Sequence, residues 1–204
     1  MPGNAQFPHE QTGEGAFKRQ HDAFRGWVTD DGTSGYPAAR GRYHFYVSWA
    51  CPWAHRTIMV RKLKRLEDVI GMTVVDPIRD EYGWAFRNGP GHSTDPINGF
   101  QFLREAYLAT DPQYRGRATV PVLWDTQTTR IVSNSDDDLM RMFNSAFNRF
   151  TDSRLDLYPA ALRAEIDALN TFIYEHVNDG VYRAGFATSQ SVYEQAVRCL
   201  FDAL

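Results

Sequence analysis

The stretch RYHFYVSWACPWAHRTIMVRKLKRL, residues 42–66, indicates the fold more clearly than any other part of the chain. Residues 42–48 alternate and are rich in aromatic side chains, which is typical of a β-strand. Residues 52–66 have apolar side chains near helical spacing, and residues 72–78 form a second apolar strand. This order predicts a βαβ unit with parallel strands. The helix is predicted to pack through Ile58, Met59, Leu63 and Leu66, and to expose five cations, Arg56, Arg61, Lys62, Lys64 and Arg65.

Cys51 lies at the junction between the first strand and the helix. If the helix begins at Pro52, Cys51 is its N-cap residue, since proline suits the first helical position. The sulfur then faces free backbone amides at the positive end of the helix dipole, a setting that typically lowers the pKa of a cysteine. The pattern favours a reactive thiolate; the alternative is a small residue tolerated at a helix start.

The site around Cys51 has a single thiol, because the residue three positions later is Ala54. Such a cysteine can form a mixed disulfide, but a second thiol must come from solution to release it. Glutathione is the expected source. His55 is either a partner of the thiol or a residue that packs or faces solvent. Cys51 and His55 lack further ligands nearby, so we expect no metal.

The composition is that of an ordinary globular protein, with 204 residues, 43% of them hydrophobic, and a net charge of −3. No basic field or motif indicates nucleic acid as a partner. The N-terminus lacks the apolar core of a signal peptide, and no stretch approaches about 18 consecutive apolar residues. We therefore expect a soluble, cytoplasmic protein that does not bind membranes. Cys199 is far from Cys51 and is expected to be an inert, packed thiol.

The chain as a whole predicts two domains. The predicted segments are an N-terminal arm (1–40), an α/β domain (41–149) with a long polar insertion (79–118), a linker (150–158) and a helical region (159–204). Inside the α/β domain, residues 118–125 and 130–133 predict a hairpin, and a helix follows over 135–149. Pro121 interrupts the first hairpin strand, which indicates either an edge strand or a cis Val120–Pro121 bond.

The helical region contains two apolar stripes, over 162–177 and 193–204. Pro159 is predicted near the start of the first helix, and SVYE (191–194) predicts a capping box for the last. Two helices offer each other little to pack against. We therefore expect a chain that is truncated or completed by a partner, and one whose exposed apolar surface promotes association.

Several motifs together resemble the glutathionyl-hydroquinone reductases, the Xi-class glutathione transferases. The combination of CPWAHR (51–56) with TVPVLWD (119–125) is highly specific, and the likeness covers nearly the whole chain. Other matching pieces are GAFKRQ, AFRGWVTDDG, IVSNS and GVYRAGFATSQ. The resemblance implies a thioredoxin-like α/β domain followed by an all-α domain, usually as a homodimer. It also implies the reduction of glutathionyl-hydroquinones by glutathione.

The resemblance implies roles for individual residues. Cys51 matches the nucleophile, and Tyr182 matches a tyrosine near the quinone that donates a proton to the leaving ring. Trp84 matches a tryptophan that contacts glutathione. Val120, before Pro121, matches the residue whose backbone pairs with the cysteinyl unit. The alternatives are loop packing for Trp84 and a core position for Tyr182.

Two departures from the family pattern bear on activity. The family usually has an acid and then a serine where this chain has Ser135 and Asp136, at the place that holds the γ-glutamyl group. Asp136 is expected to weaken glutathione binding, and Asp136→Ser to strengthen it. The family also continues past residue 204, with another active-site tyrosine. The alternatives are a non-catalytic remnant that acts as an interaction protein, or a thiol transferase that resembles dehydroascorbate reductase.

Overall fold

The computed structural model describes residues 10–204, so residues 1–9 of the predicted arm lie outside the described part. The chain forms two compact units. One consists of Asp22–Leu157, and the other consists of Tyr158–Leu204 together with the segment that ends at His21. Within the described residues, no helix is both long and apolar enough to cross a membrane.

The first unit is built on a mixed sheet. Its strands are β1 (Val28–Thr29), β2 (Tyr36–Pro37), β3 (Tyr43–Val47), β4 (Gly71–Val74), β5 (Val122–Asp125) and β6 (Arg130–Ser133). Its helices are α1 (Pro52–Leu63), α2 (Leu103–Thr110) and α3 (Asp136–Ser145). Strands β4, β3, β5 and β6 lie side by side in that order, while β1 and β2 pair separately.

Strand β3 lies in the middle of the main sheet, and all five of its residues are buried. It runs parallel to β4, with Phe45 opposite Met72, and antiparallel to β5, with Phe45 opposite Leu123. The predicted βαβ unit and the β5–β6 hairpin are therefore confirmed. The strands are shorter than predicted: β4 ends at Val74, and β5 begins only after Pro121, which has no backbone N–H to donate.

Helix α1 differs from its prediction in the face that it buries. Ala54, Thr57 and Val60 point into the protein, whereas Met59 and Leu63 are 46% and 53% exposed. Two of the cations predicted to be solvated are also buried. The Arg61 guanidinium donates to the Ile70 carbonyl at 2.6 and 2.9 Å, and the Lys64 ammonium donates to the Leu155 carbonyl at 2.5 Å. These side chains satisfy backbone carbonyls, which hydrophobic spacing alone does not predict.

The insertion over 79–118 contains helix α2, which the prediction missed. Leu103, Ala106 and Tyr107 of this helix are buried. The Glu105 carboxylate accepts hydrogen bonds from the amides of Gln101 and Phe102, both at 2.8 Å, and so caps the first turn. The sequence did not predict α2, because the helix has only eight residues and lies within a polar stretch.

The second unit is helical. Its helices are α4 (Arg163–Ile173), α5 (Gly180–Gly185) and α6 (Gln190–Asp202), with a π-helical turn over Tyr174–Asn178. The predicted capping box is wrong, because α6 begins at Gln190 and its N-cap residue is Ser189. Cys199 is exposed rather than packed. The N-terminal segment joins this unit through Arg19, which forms an ion pair with Asp179 at 2.6 Å.

Both predicted apolar stripes of the second unit are largely exposed. In α4 no residue is buried, and in α6 only Leu200 is. Leu169 is 55% exposed and Phe201 is 68% exposed.

We predict that this surface makes the protein associate. Light scattering should show species larger than a monomer, and Leu169→Glu with Phe201→Glu should reduce their fraction. Ile78→Glu is the control, because Ile78 is even more exposed, at 74%, but lies in the first unit. A monodisperse monomer at micromolar concentration would contradict the prediction.

Candidate active site

Cys51 lies where β3 ends and α1 begins, as predicted. It is the N-cap residue, with an extended backbone (φ −102°, ψ 113°), and Pro52 is the first helical residue. The half-buried sulfur lies 3.6 Å from the carbonyl oxygen of Val120, to which the thiol donates. The structure therefore brings the predicted nucleophile and the predicted backbone partner of the ligand into direct contact.

The segment that carries Val120 is held by α2. The Val120–Pro121 bond is cis, so the cis alternative of the sequence prediction is confirmed. The Tyr107 hydroxyl donates to the Thr119 carbonyl at 2.9 Å and accepts from the Thr119 amide at 3.2 Å. Antiparallel pairing of β5 with β3 then places this segment beside the end of β3, next to Cys51. The helix that the sequence reading missed thus supports the site.

The N-terminus of α3 forms the third part of this region. Ser135 is the N-cap residue, and its hydroxyl accepts from the Asp138 amide at 3.4 Å. Ser135 is 3% exposed and Asp136 is 9% exposed. The Asp138 carboxylate accepts two hydrogen bonds from the Arg25 guanidinium, both at 2.7 Å.

Asp136, which was expected to weaken glutathione binding, has an ion-pair partner. The Arg56 guanidinium donates to its carboxylate from Nε at 2.7 Å, with a second nitrogen at 2.5 Å. Burial raises the pKa of Asp136, and the charge and hydrogen bond of Arg56 oppose that rise. The sequence analysis placed Arg56 on a solvated face of α1. Its position one turn after the start of α1 was the signal that could have indicated a role near Cys51. Asp136→Ser would therefore also remove the ion-pair partner of Arg56, which the sequence prediction did not include.

Asp22 adds a further carboxyl group to this region. Desolvation and the charge of Asp136 raise the pKa of Asp22 to about 6, against the opposing charge of Arg25 and a hydrogen bond from Ser135. The N-terminus of α3 is therefore surrounded by acids, two of which, Asp136 and Asp138, are paired with arginines.

The remaining predicted residues lie in two different places. Trp84 packs against the core of the first unit, and the Arg79 guanidinium lies 5.2 Å from its ring centroid. Tyr182 lies in α5 of the second unit, where the Arg19 guanidinium stands 4.3 Å from its ring centroid. Their roles toward a ligand stay predictions. The His55 side chain is exposed, which favours the solvent-facing alternative.

Among the residues from Glu10 onward, no group of three or more His, Cys, Asp or Glu side chains is arranged to hold a metal ion. The first unit has the Cys51 thiol at the N-terminus of α1, beside the Val120 carbonyl that precedes the cis proline. That arrangement suits thiol–disulfide exchange with a small thiol from solution.

Comparison with known proteins agrees with this geometry. Residues 50–146 match the family of glutathione S-transferase N-terminal domains. The chain is 50% identical to the Escherichia coli glutathionyl-hydroquinone reductase YqjG, over 93% of this chain and 60% of the relative. It is 45% identical to the Sphingobium chlorophenolicum glutathionyl-hydroquinone reductase PcpF, over 93% of this chain and 59% of the relative.

Solved structures give the same result. The Xi glutathione transferase of Phanerochaete chrysosporium superposes with a TM-score of 0.88 at 49% identity, over 92% of this chain and 64% of the other. Glutathione-bound YqjG superposes with a TM-score of 0.86 at 50% identity, over 89% of this chain and 61% of the other. The fold and the site thus define a thioredoxin-like domain of the glutathione transferase type, followed by helices. Within that class, the chain is similar to the Xi-class glutathione transferases.

The chain spans 60% and 59% of the lengths of the two curated relatives. The activity, substrates and partners of those longer proteins are therefore only proposals for this chain.

Proposed function

We propose that this chain reduces glutathionyl-hydroquinones to hydroquinones at the expense of glutathione. The contact between the Cys51 thiol and the Val120 carbonyl carries the proposal, because it joins a nucleophile to the backbone that would align its glutathionyl substrate. The names of the relatives YqjG and PcpF support the same reaction. The bound glutathione in the YqjG structure supports glutathione as the co-substrate.

The reaction has two steps: attack on the thioether sulfur of the substrate, and then a thiol–disulfide exchange. The Cys51 thiolate attacks the sulfur of the glutathionyl group, a Cys51–glutathione disulfide forms, and the carbon–sulfur bond to the ring breaks with its electron pair on the ring. A proton then completes the ring carbon, and Tyr182 is the proposed donor. A glutathione thiolate next attacks the mixed disulfide, which releases oxidised glutathione and restores Cys51. The ring is reduced, and two glutathionyl sulfurs are oxidised to one disulfide.

The binding roles follow the same proposal. The Val120 backbone pairs with the cysteinyl unit of glutathione, Trp84 contacts the tripeptide, and the γ-glutamyl group lies at Ser135, where α3 begins. Helix N-termini bind anions because their amides lack partners. Both cysteines are free thiols, which suits a cytoplasmic enzyme. A homodimer is part of the proposal, by analogy with the family.

Product stoichiometry tests this function directly. With a glutathionylated hydroquinone such as glutathionyl-menadiol and excess glutathione, we expect one free hydroquinone for each oxidised glutathione, with ping-pong kinetics. Reduction of dehydroascorbate or a simple disulfide at a higher kcat/KM would favour the general thiol transferase.

Binding of glutathione without any of these activities would instead favour an interaction protein. The exposed apolar faces of α4 and α6 favour this alternative, because such surfaces can bind a partner protein.

A further inference from the structure

Helices α1 and α3 are linked by one side-chain pair beside the proposed glutathione site. Arg56 lies in α1, five residues after the nucleophile, and Asp136 is the first residue of α3. The guanidinium reaches the carboxylate at 2.5–2.7 Å, and the side chains are 28% and 12% exposed. Arg56 thus connects α1, whose N-cap is Cys51, to the helix end that is proposed to hold the γ-glutamyl group.

The charges around this helix end show what Arg56 contributes. Asp136, Asp137 and Asp138 occupy the first turn of α3, and the charge of Asp136 contributes to the raised pKa of Asp22. Arg25 already neutralises Asp138 through two hydrogen bonds. Acids in a first turn stabilise the helix itself, but they oppose a second anion at the same place. Without Arg56, Asp136 would be a buried carboxylate with its guanidinium partner removed.

We propose that Arg56 is a positioning residue that neutralises Asp136 and thereby keeps the N-terminus of α3 able to accept the α-carboxylate of a γ-glutamyl thiol. The inference rests on the proposed glutathione-dependent function. The arginine compensates for an acid where the γ-glutamyl carboxylate must bind.

Glutathione titrations of four proteins test this assignment: the unaltered chain, Arg56→Gln, Asp136→Asn and the double variant. Removing one partner of a partly buried ion pair leaves the other charge uncompensated, so Arg56→Gln should raise the Kd for glutathione by about 10- to 100-fold. Asp136→Asn should bind as well as the unaltered chain or better. The double variant should regain most of the loss, since it removes the uncompensated charge.

Arg65→Gln is the matched control, because Arg65 follows α1 and pairs with Asp152 on the surface, where the side chains are 68% and 77% exposed. It should leave the Kd unchanged. Circular dichroism melts of all variants separate lost binding from lost folding.

An unchanged Kd in folded Arg56→Gln would overturn the inference. Equal weakening in Arg56→Gln and in the double variant would also overturn it, because the arginine would then act on glutathione or on the helices rather than on Asp136. Failure of the unaltered chain to bind glutathione would instead contradict the proposed function, so the two failures are distinguishable.

Discussion

Replacing Cys51 with serine is expected to lower glutathione-dependent turnover by at least about a thousandfold, the scale seen when a covalent nucleophile is removed. A serine hydroxyl keeps the N-cap geometry but is not ionised near neutral pH and cannot form a mixed disulfide. The expected measurement is release of oxidised glutathione from a glutathionylated hydroquinone. Glutathione binding should survive in this variant, because the binding groups of the proposal lie elsewhere.

Cys199→Ser is the matched control for this prediction. Cys199 is the other free thiol of the chain and is exposed in α6. Its replacement should leave turnover within about twofold of the unaltered chain, as expected for a surface substitution away from the site. Comparable turnover in Cys51→Ser, or a large loss in Cys199→Ser, would contradict the assignment of the nucleophile.

The second large effect concerns stability. Arg42 donates to both carboxylate oxygens of Asp125, at 2.9 and 2.6 Å, and the Asp125 side chain is fully buried at the end of β5. Removing one partner of such a pair leaves an uncompensated charge, so Arg42→Ala should lower the free energy of unfolding by about 3–5 kcal/mol. Urea denaturation measures this loss.

The matched control is again the exposed pair of Arg65 with Asp152, where Arg65→Ala should cost no more than about 1 kcal/mol. A loss for Arg42→Ala as small as that of the control would show that the pair contributes little.

The Arg42–Asp125 pair also makes the stability of the fold depend on pH. Burial alone would raise the pKa of Asp125, but hydrogen bonds from Arg42, Thr128 and the Gln127 amide outweigh it, and the pKa is lowered. A carboxyl group with a lowered pKa stabilises the fold above its unfolded pKa, about 3.9, and loses that contribution as the pH falls through the folded value. The stability difference between the unaltered chain and Arg42→Ala should therefore shrink as the pH falls from 7 to 3. A difference independent of pH would contradict this origin.

The sequence was most informative where local rules act without help from distant residues. Pro52 at a helix start and the alternation of residues 42–48 were sufficient to place Cys51 at an N-cap after a strand. Pro121 marked the segment that contacts Cys51, although the pattern alone did not decide between a cis bond and an edge strand. These features depend on backbone geometry that proline and period-2 alternation constrain directly.

The sequence was less informative where packing or charge pairing over long separations decides the outcome. Met59 and Leu63 matched a helical stripe, yet α1 buries Thr57 and Arg61 instead, because the Arg61 guanidinium satisfies backbone carbonyls at Glu67 and Ile70. The pairing of Arg56 with Asp136 joins residues 80 positions apart, so no spacing rule reveals it. Such contacts appear only when the chain has folded.

The most direct test of the central claim is to trap the mixed disulfide. The unaltered chain, free of glutathione, is mixed with a substoichiometric amount of glutathionylated hydroquinone, quenched with acid and analysed by intact-protein and peptide mass spectrometry. The account predicts one glutathionyl group on Cys51 for each hydroquinone released, none on Cys199, and loss of the adduct with formation of oxidised glutathione when glutathione is added. Release of hydroquinone with Cys51 unmodified, or a glutathionyl group on Cys199 alone, would contradict it.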